Sequence, residues 1–134
     1  MSKANTALVT GASAGIGAVY ADRLARRGHD LILVARDEAR LSALAARLRA
    51  ETGRSVEILV ADLTARPDLL RVEGRLRQDP SVGMLLNNAG IAIAGPMFGS
   101  EVDRLEAMVN ISITAALRPA HAAVAGFVAR GQGR

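Results

Sequence analysis

An α/β fold, a parallel sheet covered by helices on both faces, is what this sequence predicts, and three observations carry the reading. Short runs of Val, Ile and Leu alternate with amphipathic stretches long enough for helices. That is the pattern of strand–helix–strand crossovers and a parallel sheet. The run Leu31-Ile32-Leu33-Val34 is apolar without alternation, as a strand buried on both faces must be. The first run, Thr6 to Val9, leads into Thr10-Gly11-Ala12-Ser13-Ala14-Gly15-Ile16-Gly17, which opens a helix. A strand, a glycine-rich turn and a helix start together make a phosphate site plausible, because the first N–H groups of a helix lack intrahelical partners and sit at its positive dipole end.

Taken in order, strand one is Thr6 to Thr10, and a helix follows from Ile16 to Arg27 with Ile16, Tyr20 and Leu24 facing inward. Gly28 closes it. Strand two is Asp30 to Ala35, and the second helix spans Asp37 to Thr52 on a Leu41, Leu44 and Leu48 stripe, with acids at its start and Gly53 at its end. Strand three is Val56 to Val60. The third helix covers Pro67 to Gln78, with Leu69, Val72 and Leu76 inward and Pro67 suited to its first turn. Strand four is Met84 to Asn87. After a loop rich in Gly and Pro, a last helical stretch runs from Glu101 towards Arg130, with a bend expected at Pro119. The expected strand order is 3-2-1-4, and ligands belong at the switch between strands one and four.

Composition narrows the function. The 134 residues suffice for one domain, 1–134. Half are hydrophobic and almost none aromatic, so Ala, Leu, Val and Ile do the packing. Without cysteine, and with His29 and His121 isolated, no metal site is expected. The net charge of +4 comes almost wholly from arginine. Arg23, Arg26, Arg27, Arg40, Arg47, Arg71 and Arg75 are spread over several helices among acids, which reads as solvated surface rather than a nucleic-acid face. No uninterrupted run of 18 apolar residues and no signal-peptide core occur, so no membrane partner is expected and the cytoplasm is the default.

The candidate binding residues follow from position. In the turn, Gly11 allows the sharp bend, Gly15 the close approach of a pyrophosphate and Gly17 close packing of the helix, with Ser13, Ala14 and Ile16 between them. Arg36 closes strand two, where an acid would accept from the ribose 2′-hydroxyl of NAD and an arginine would pair with the 2′-phosphate of NADP. NADP is therefore favoured over NAD, although Asp37 follows and an exposed cation at a strand end is the plainer alternative. Asp62-Leu63 leaves strand three, where Asp62 could equally serve an Asx turn. Asn87-Asn88-Ala89-Gly90 ends strand four: amides to tie the strand to nearby backbone, then two small residues that leave room for a ligand.

The pattern Thr-Gly-x-x-x-Gly-Ile-Gly at 10–17 and the tetrapeptide Asn-Asn-Ala-Gly at 87–90 resemble the signatures of the short-chain dehydrogenase/reductase family. The resemblance implies a Rossmann-type fold and an oxidoreductase that moves hydride between NADP(H) and a carbonyl or secondary alcohol. It implies adenine against Asp62 and Leu63, and the ribose beside Asn88, Ala89 and Gly90. Asn110, in Val109-Asn110-Ile111-Ser112, takes the place of the family's helical catalytic Asn, which holds a water in the proton relay. An Asn in mid-helix is intrinsically poor, so a compensating interaction is expected. The family's last helix here commonly packs on a partner subunit, implying a homo-oligomer.

The family's Ser and its Tyr-x-x-x-Lys pair have no counterpart. The one tyrosine is Tyr20, the one lysine is Lys3, and Ser112 stands only two residues beyond Asn110. The resemblance covers essentially the whole chain but half of a family member, so the chain is expected to be truncated before strand five. The alternatives to an oxidoreductase are a dinucleotide-binding module without turnover and a fragment that folds only by association.

Overall fold

A computed structural model gives the fold and describes residues 4–90 and 97–134. The chain runs β1 (Thr6–Thr10), α1 (Gly15–Arg26), β2 (Asp30–Ala35), α2 (Glu38–Thr52), β3 (Val56–Val60), α3 (Arg66–Gln78) and β4 (Val82–Leu86). A short 3-10 turn (Met97–Gly99) precedes α4 (Val102–Val109), a π-helical segment (Asn110–Thr114) and α5 (Ala115–Arg130). The strands pair in parallel in the order β3-β2-β1-β4, the expected Rossmann-type arrangement. Part of the Gly- and Pro-rich loop before α4, like Lys3, lies outside the described residues.

The unbroken apolar strands make sense once both faces are seen. Ala7, Val9, Leu31 and Leu33 point to a core shared with Leu24 of α1 and with Leu41, Leu44 and Leu48 of α2. Their neighbours Leu8, Ile32 and Val34 point the other way, to Leu69, Val72 and Leu76 of α3 and to Ala115, Ala122 and Ala123 of α5. Successive side chains leave a strand on opposite faces, so a sheet with two covers needs apolar residues at every position.

The inward face of α1 differs from the Ile16, Tyr20 and Leu24 stripe. Gly17, Ala21, Leu24 and Ala25 are buried, whereas Ile16 is 66% and Tyr20 49% exposed. The cause is distance. A Cβ on Gly17 would lie 2.2 Å from the Gly11 carbonyl oxygen, so the first turn presses on the loop where only glycine fits. The larger Ile16 and Tyr20 are turned outward by one residue's rotation.

The last helix also departs from expectation. Pro119 lies buried inside α5, and the break from α geometry falls earlier, over Asn110–Thr114. There the helix widens by one residue, and an N–H at its C-terminal end donates to the Asn110 carbonyl. Arg118, one residue before Pro119, donates from Nε and Nη2 to Glu73 of α3 at 3.0 and 3.1 Å, a carboxylate only 2% exposed. By length and composition, the stretch Val102–Arg130 would suffice to cross a bilayer, with a mean hydropathy of 1.3. No uninterrupted apolar run of that length marks it in the sequence. Within the fold its α5 part is packed on α3.

Beyond β4, Arg134 donates its N–H to the Gly83 carbonyl at 2.9 Å and accepts from the Leu85 N–H at 2.8 Å. The outer edge of β4 is thus bracketed in the manner of a parallel neighbour.

Candidate functional site

The C-terminal ends of β1 and β4 are tied together by Thr10. Its side chain is fully buried, and Oγ1 accepts from the Asn88 N–H at 3.0 Å and the Ala89 N–H at 3.1 Å. Asn88 Nδ2 returns a bond to the Gly11 carbonyl at 3.3 Å, while Ala12 N–H reaches back to the Val34 carbonyl of β2 at 3.2 Å. Asn87 Nδ2 donates to the Ala116 carbonyl at 2.7 Å, fixing the start of α5 to the same strand end. These bonds join three strand ends and α5 at the point where the strand order reverses, the position at which sheets of this kind bind ligands.

The glycine-rich turn is shaped by contact. At Gly11 (φ 65°) a Cβ would sit 2.9 Å from Ala89 Cα, so the β4 loop passes where only hydrogen fits. At Gly15 (φ 57°) a Cβ would project into open space, in a backbone region that branched residues avoid. The residue before α1, Ala14, supplies no side-chain cap, and no acid stands in the first turn. The N–H groups opening α1 are left for an anion.

Beside this turn lies a cavity of about 650 Å³. Of the candidate residues, Gly11, Ser13, Ala14, Arg36, Asp62, Leu63, Asn88, Ala89 and Gly90 line it. Gly15, Ile16, Gly17 and Asn110 do not. Gly17 is turned into the protein, Ile16 faces solvent, and Asn110 is adjacent to Ile111, which lines the cavity with Ala107. The sequence reading missed those two, together with Thr64 and Arg40. Arg40 stands four residues after Arg36, one turn into α2, and that spacing was the available signal.

Electrostatics divides the cavity. Arg36 is exposed at the end of β2 and makes no ion pair among the described residues. Across from it, Asp62 Oδ1 accepts from the Thr64 hydroxyl at 2.6 Å and the Thr64 N–H at 2.9 Å. Those two bonds, hydroxyl first, hold the Asp62 carboxyl below its ordinary value against the cost of burial, with the Arg36 charge adding to them. The Asx-turn role is therefore present at one oxygen. The other takes no hydrogen bond from the described residues, so a ligand amine could still use it.

Asn110 differs from expectation. Its carbonyl serves the widened helical turn, while its carboxamide makes no hydrogen bond among the described residues. What accommodates it is the local loosening of the helix.

The family model described as short chain dehydrogenase matches residues 5–134, and the chain belongs to this family of oxidoreductases. Among solved structures, the short-chain dehydrogenase from Sphingobium yanoikuyae in complex with NADPH is 54% identical at a TM-score of 0.93, over 96% of this chain and 50% of that one. The bulky-bulky ketone specific alcohol dehydrogenase from Comamonas testosteroni is 48% identical at a TM-score of 0.94, over 96% and 52%. Among curated relatives, the Inactive hydroxysteroid dehydrogenase-like protein 1 of Homo sapiens is 33% identical over 129 residues, covering 95% of this chain and 39% of its own length. The chain thus spans about half the length of the solved relatives and less of the human one.

Proposed function

We propose that the chain is the NADP(H)-binding part of an oxidoreductase that moves hydride between a nicotinamide and a carbonyl or secondary alcohol. The observation that carries the reading is the uncapped start of α1 beside a cavity at the β1–β4 switch, with Arg36 unpaired among the described residues at its rim. The turn fits a pyrophosphate: Gly15 leaves open the space a side chain would fill, and the first N–H groups of a helix have no intrahelical partner and favour an anion. Arg36 holds the 2′-phosphate, Asp62 and Leu63 flank the adenine, and Asn88, Ala89 and Gly90 border the ribose. NADPH, when bound, supplies the hydride. Asn110 steadies a water near the reacting carbonyl, from the widened turn beside Ile111. The relative solved with NADPH supports the cofactor, and the ketone-specific relative supports the reaction class.

A second reading, a dinucleotide-binding module without turnover, is favoured by one observation: the only tyrosine, Tyr20, stands half exposed on α1 and cannot act as the acid of a carbonyl site at β4. The human relative named inactive supports it. Calorimetric titration with NADPH and NADH, beside an assay of NADPH oxidation over a broad panel of carbonyls, separates the readings. Binding with carbonyl-dependent oxidation supports the first, binding without it supports the second, and no binding of either dinucleotide overturns both.

A further inference from the structure

Arg40 and Asp37 lie on the cavity rim beside Arg36, and their geometry is specific. Asp37 caps α2: its Oδ1 accepts from the Arg40 backbone N–H at 3.0 Å. Its other oxygen, Oδ2, lies 3.4 Å from the Arg40 Nε. One carboxylate is thereby engaged twice by the same residue, and it is held at the helix start whatever the ligand. The ion pair itself is loose, with the two side chains 67% and 48% exposed. Such a pair is readily given up for a better partner.

We propose that Arg40 is a second ligand of the cofactor's 2′-phosphate, with Asp37 as its resting counter-ion, so that Arg36 and Arg40 close on the phosphate from two elements. The inference rests on the dinucleotide reading of the site and adds to it what selects the phosphorylated form. A doubly charged phosphate outcompetes a single exposed carboxylate for a guanidinium, and the guanidinium fork matches its oxygens. It also assigns Asp37 a role other than recognition of a ribose hydroxyl. Its Oδ1 is committed to the cap, and its charge both repels the phosphate and competes with it for Arg40.

The test uses adenosine 2′,5′-bisphosphate and 5′-AMP as probes, which share the adenosine and differ at the 2′-phosphate, titrated calorimetrically into the protein and its variants. Arg40→Gln keeps helix propensity and should weaken the bisphosphate by about 5- to 20-fold while leaving 5′-AMP unchanged. Arg40→Lys should recover part of the loss. Asp37→Asn preserves the cap and should tighten the bisphosphate, with a smaller gain in the Arg40→Gln background because part of the gain passes through Arg40. If Arg36→Gln weakens the bisphosphate and Arg40→Gln does not, Arg40 is no ligand and the NADP reading stands. If the unaltered protein binds both probes equally, or neither, the NADP reading falls and this inference with it. Circular dichroism on each variant confirms that loss of binding is not loss of fold.

Discussion

Arg118 on α5 grips Glu73 on α3 with two hydrogen bonds of 3.0 and 3.1 Å, and among the described residues Glu73 shares with Thr10 the place of a buried polar side chain. The pair fastens α5, which continues from the π segment carrying Asn110, to α3 within the sheet's second cover. Removing Arg118 leaves the buried Glu73 carboxylate with only the looser contact to Arg77 Nη2 at 4.0 Å, which costs more than the pair itself contributes. Arg118→Gln should destabilise by about 2–4 kcal/mol, below the range for wholly buried pairs because Arg118 keeps some contact with solvent. The double change Glu73→Gln with Arg118→Gln should recover part of that loss. Urea midpoints for the two single variants and the double variant decide it, and full additivity would show that the side chains act independently.

The glycines of the first turn should separate binding from folding. Gly15→Val places a side chain in open space where the pyrophosphate would lie, and at a strained φ. Dinucleotide binding should disappear while the fold survives. Gly17→Ala drives a Cβ into the Gly11 carbonyl and the Asn88 amide, so the fold itself should lose about 1–3 kcal/mol. Thermal melts beside NADPH titrations distinguish the two, and a well-folded Gly15→Val protein with undiminished affinity would place the phosphate elsewhere.

Cofactor choice should follow Arg36. In the unaltered protein NADPH should bind more tightly than NADH, and Arg36→Asp should shift the preference towards NADH by roughly 1–3 kcal/mol. Equal calorimetric affinities before mutation would remove the basis for this expectation.

The Asp62 turn should give the protein an acid-sensitive contribution. Its carboxyl is held below the ordinary 3.8, chiefly by the Thr64 hydroxyl. A group whose folded value is lowered contributes stability above its unfolded value and loses it as pH falls through the folded one. Thr64→Val should therefore cost about 0.5–1.5 kcal/mol at pH 7, and the difference should shrink below pH 3.8. Carboxyl chemical shifts followed through an acid titration would show Asp62 moving up towards its ordinary value in the variant. A pH-independent penalty would mean that the hydroxyl acts by packing alone.

Much of the framework was legible because it rests on short-range chemistry. The bounds of β1, β2 and β3 coincide with the expected runs; β2 is buried on both faces along most of its length, while the edge strand β3 also admits the exposed Glu57. β4 begins at Val82 rather than Met84 because Gly83, which reads as a turn residue, is packed so closely that a Cβ would lie 2.6 Å from the Ala4 carbonyl oxygen. The face of α1 departs from its periodicity because periodicity rewards large apolar residues, whereas a helix pressed on the glycine-rich turn needs small ones. Glu73 and Arg118 stand 45 residues apart, and nothing local marks them as partners. In the cavity, the residues on strand ends follow from position, whereas Arg40, reaching in from a helix, is marked only by its four-residue spacing from Arg36.

The π segment at Asn110–Thr114 amounts to one extra residue slipped into an otherwise ordinary rod. Each residue of an α-helix turns the chain by about 100°, so α4 and α5 are out of phase with an unbroken helix by that much. The phase offset lets Ala107 and Ile111 look into the cavity while Ala115, Ala122 and Ala123 seat on the sheet's far cover. The insertion behaves as a mechanical clutch: excising a single residue there would leave both halves helical yet swing the cavity wall away, or tear Arg118 from Glu73.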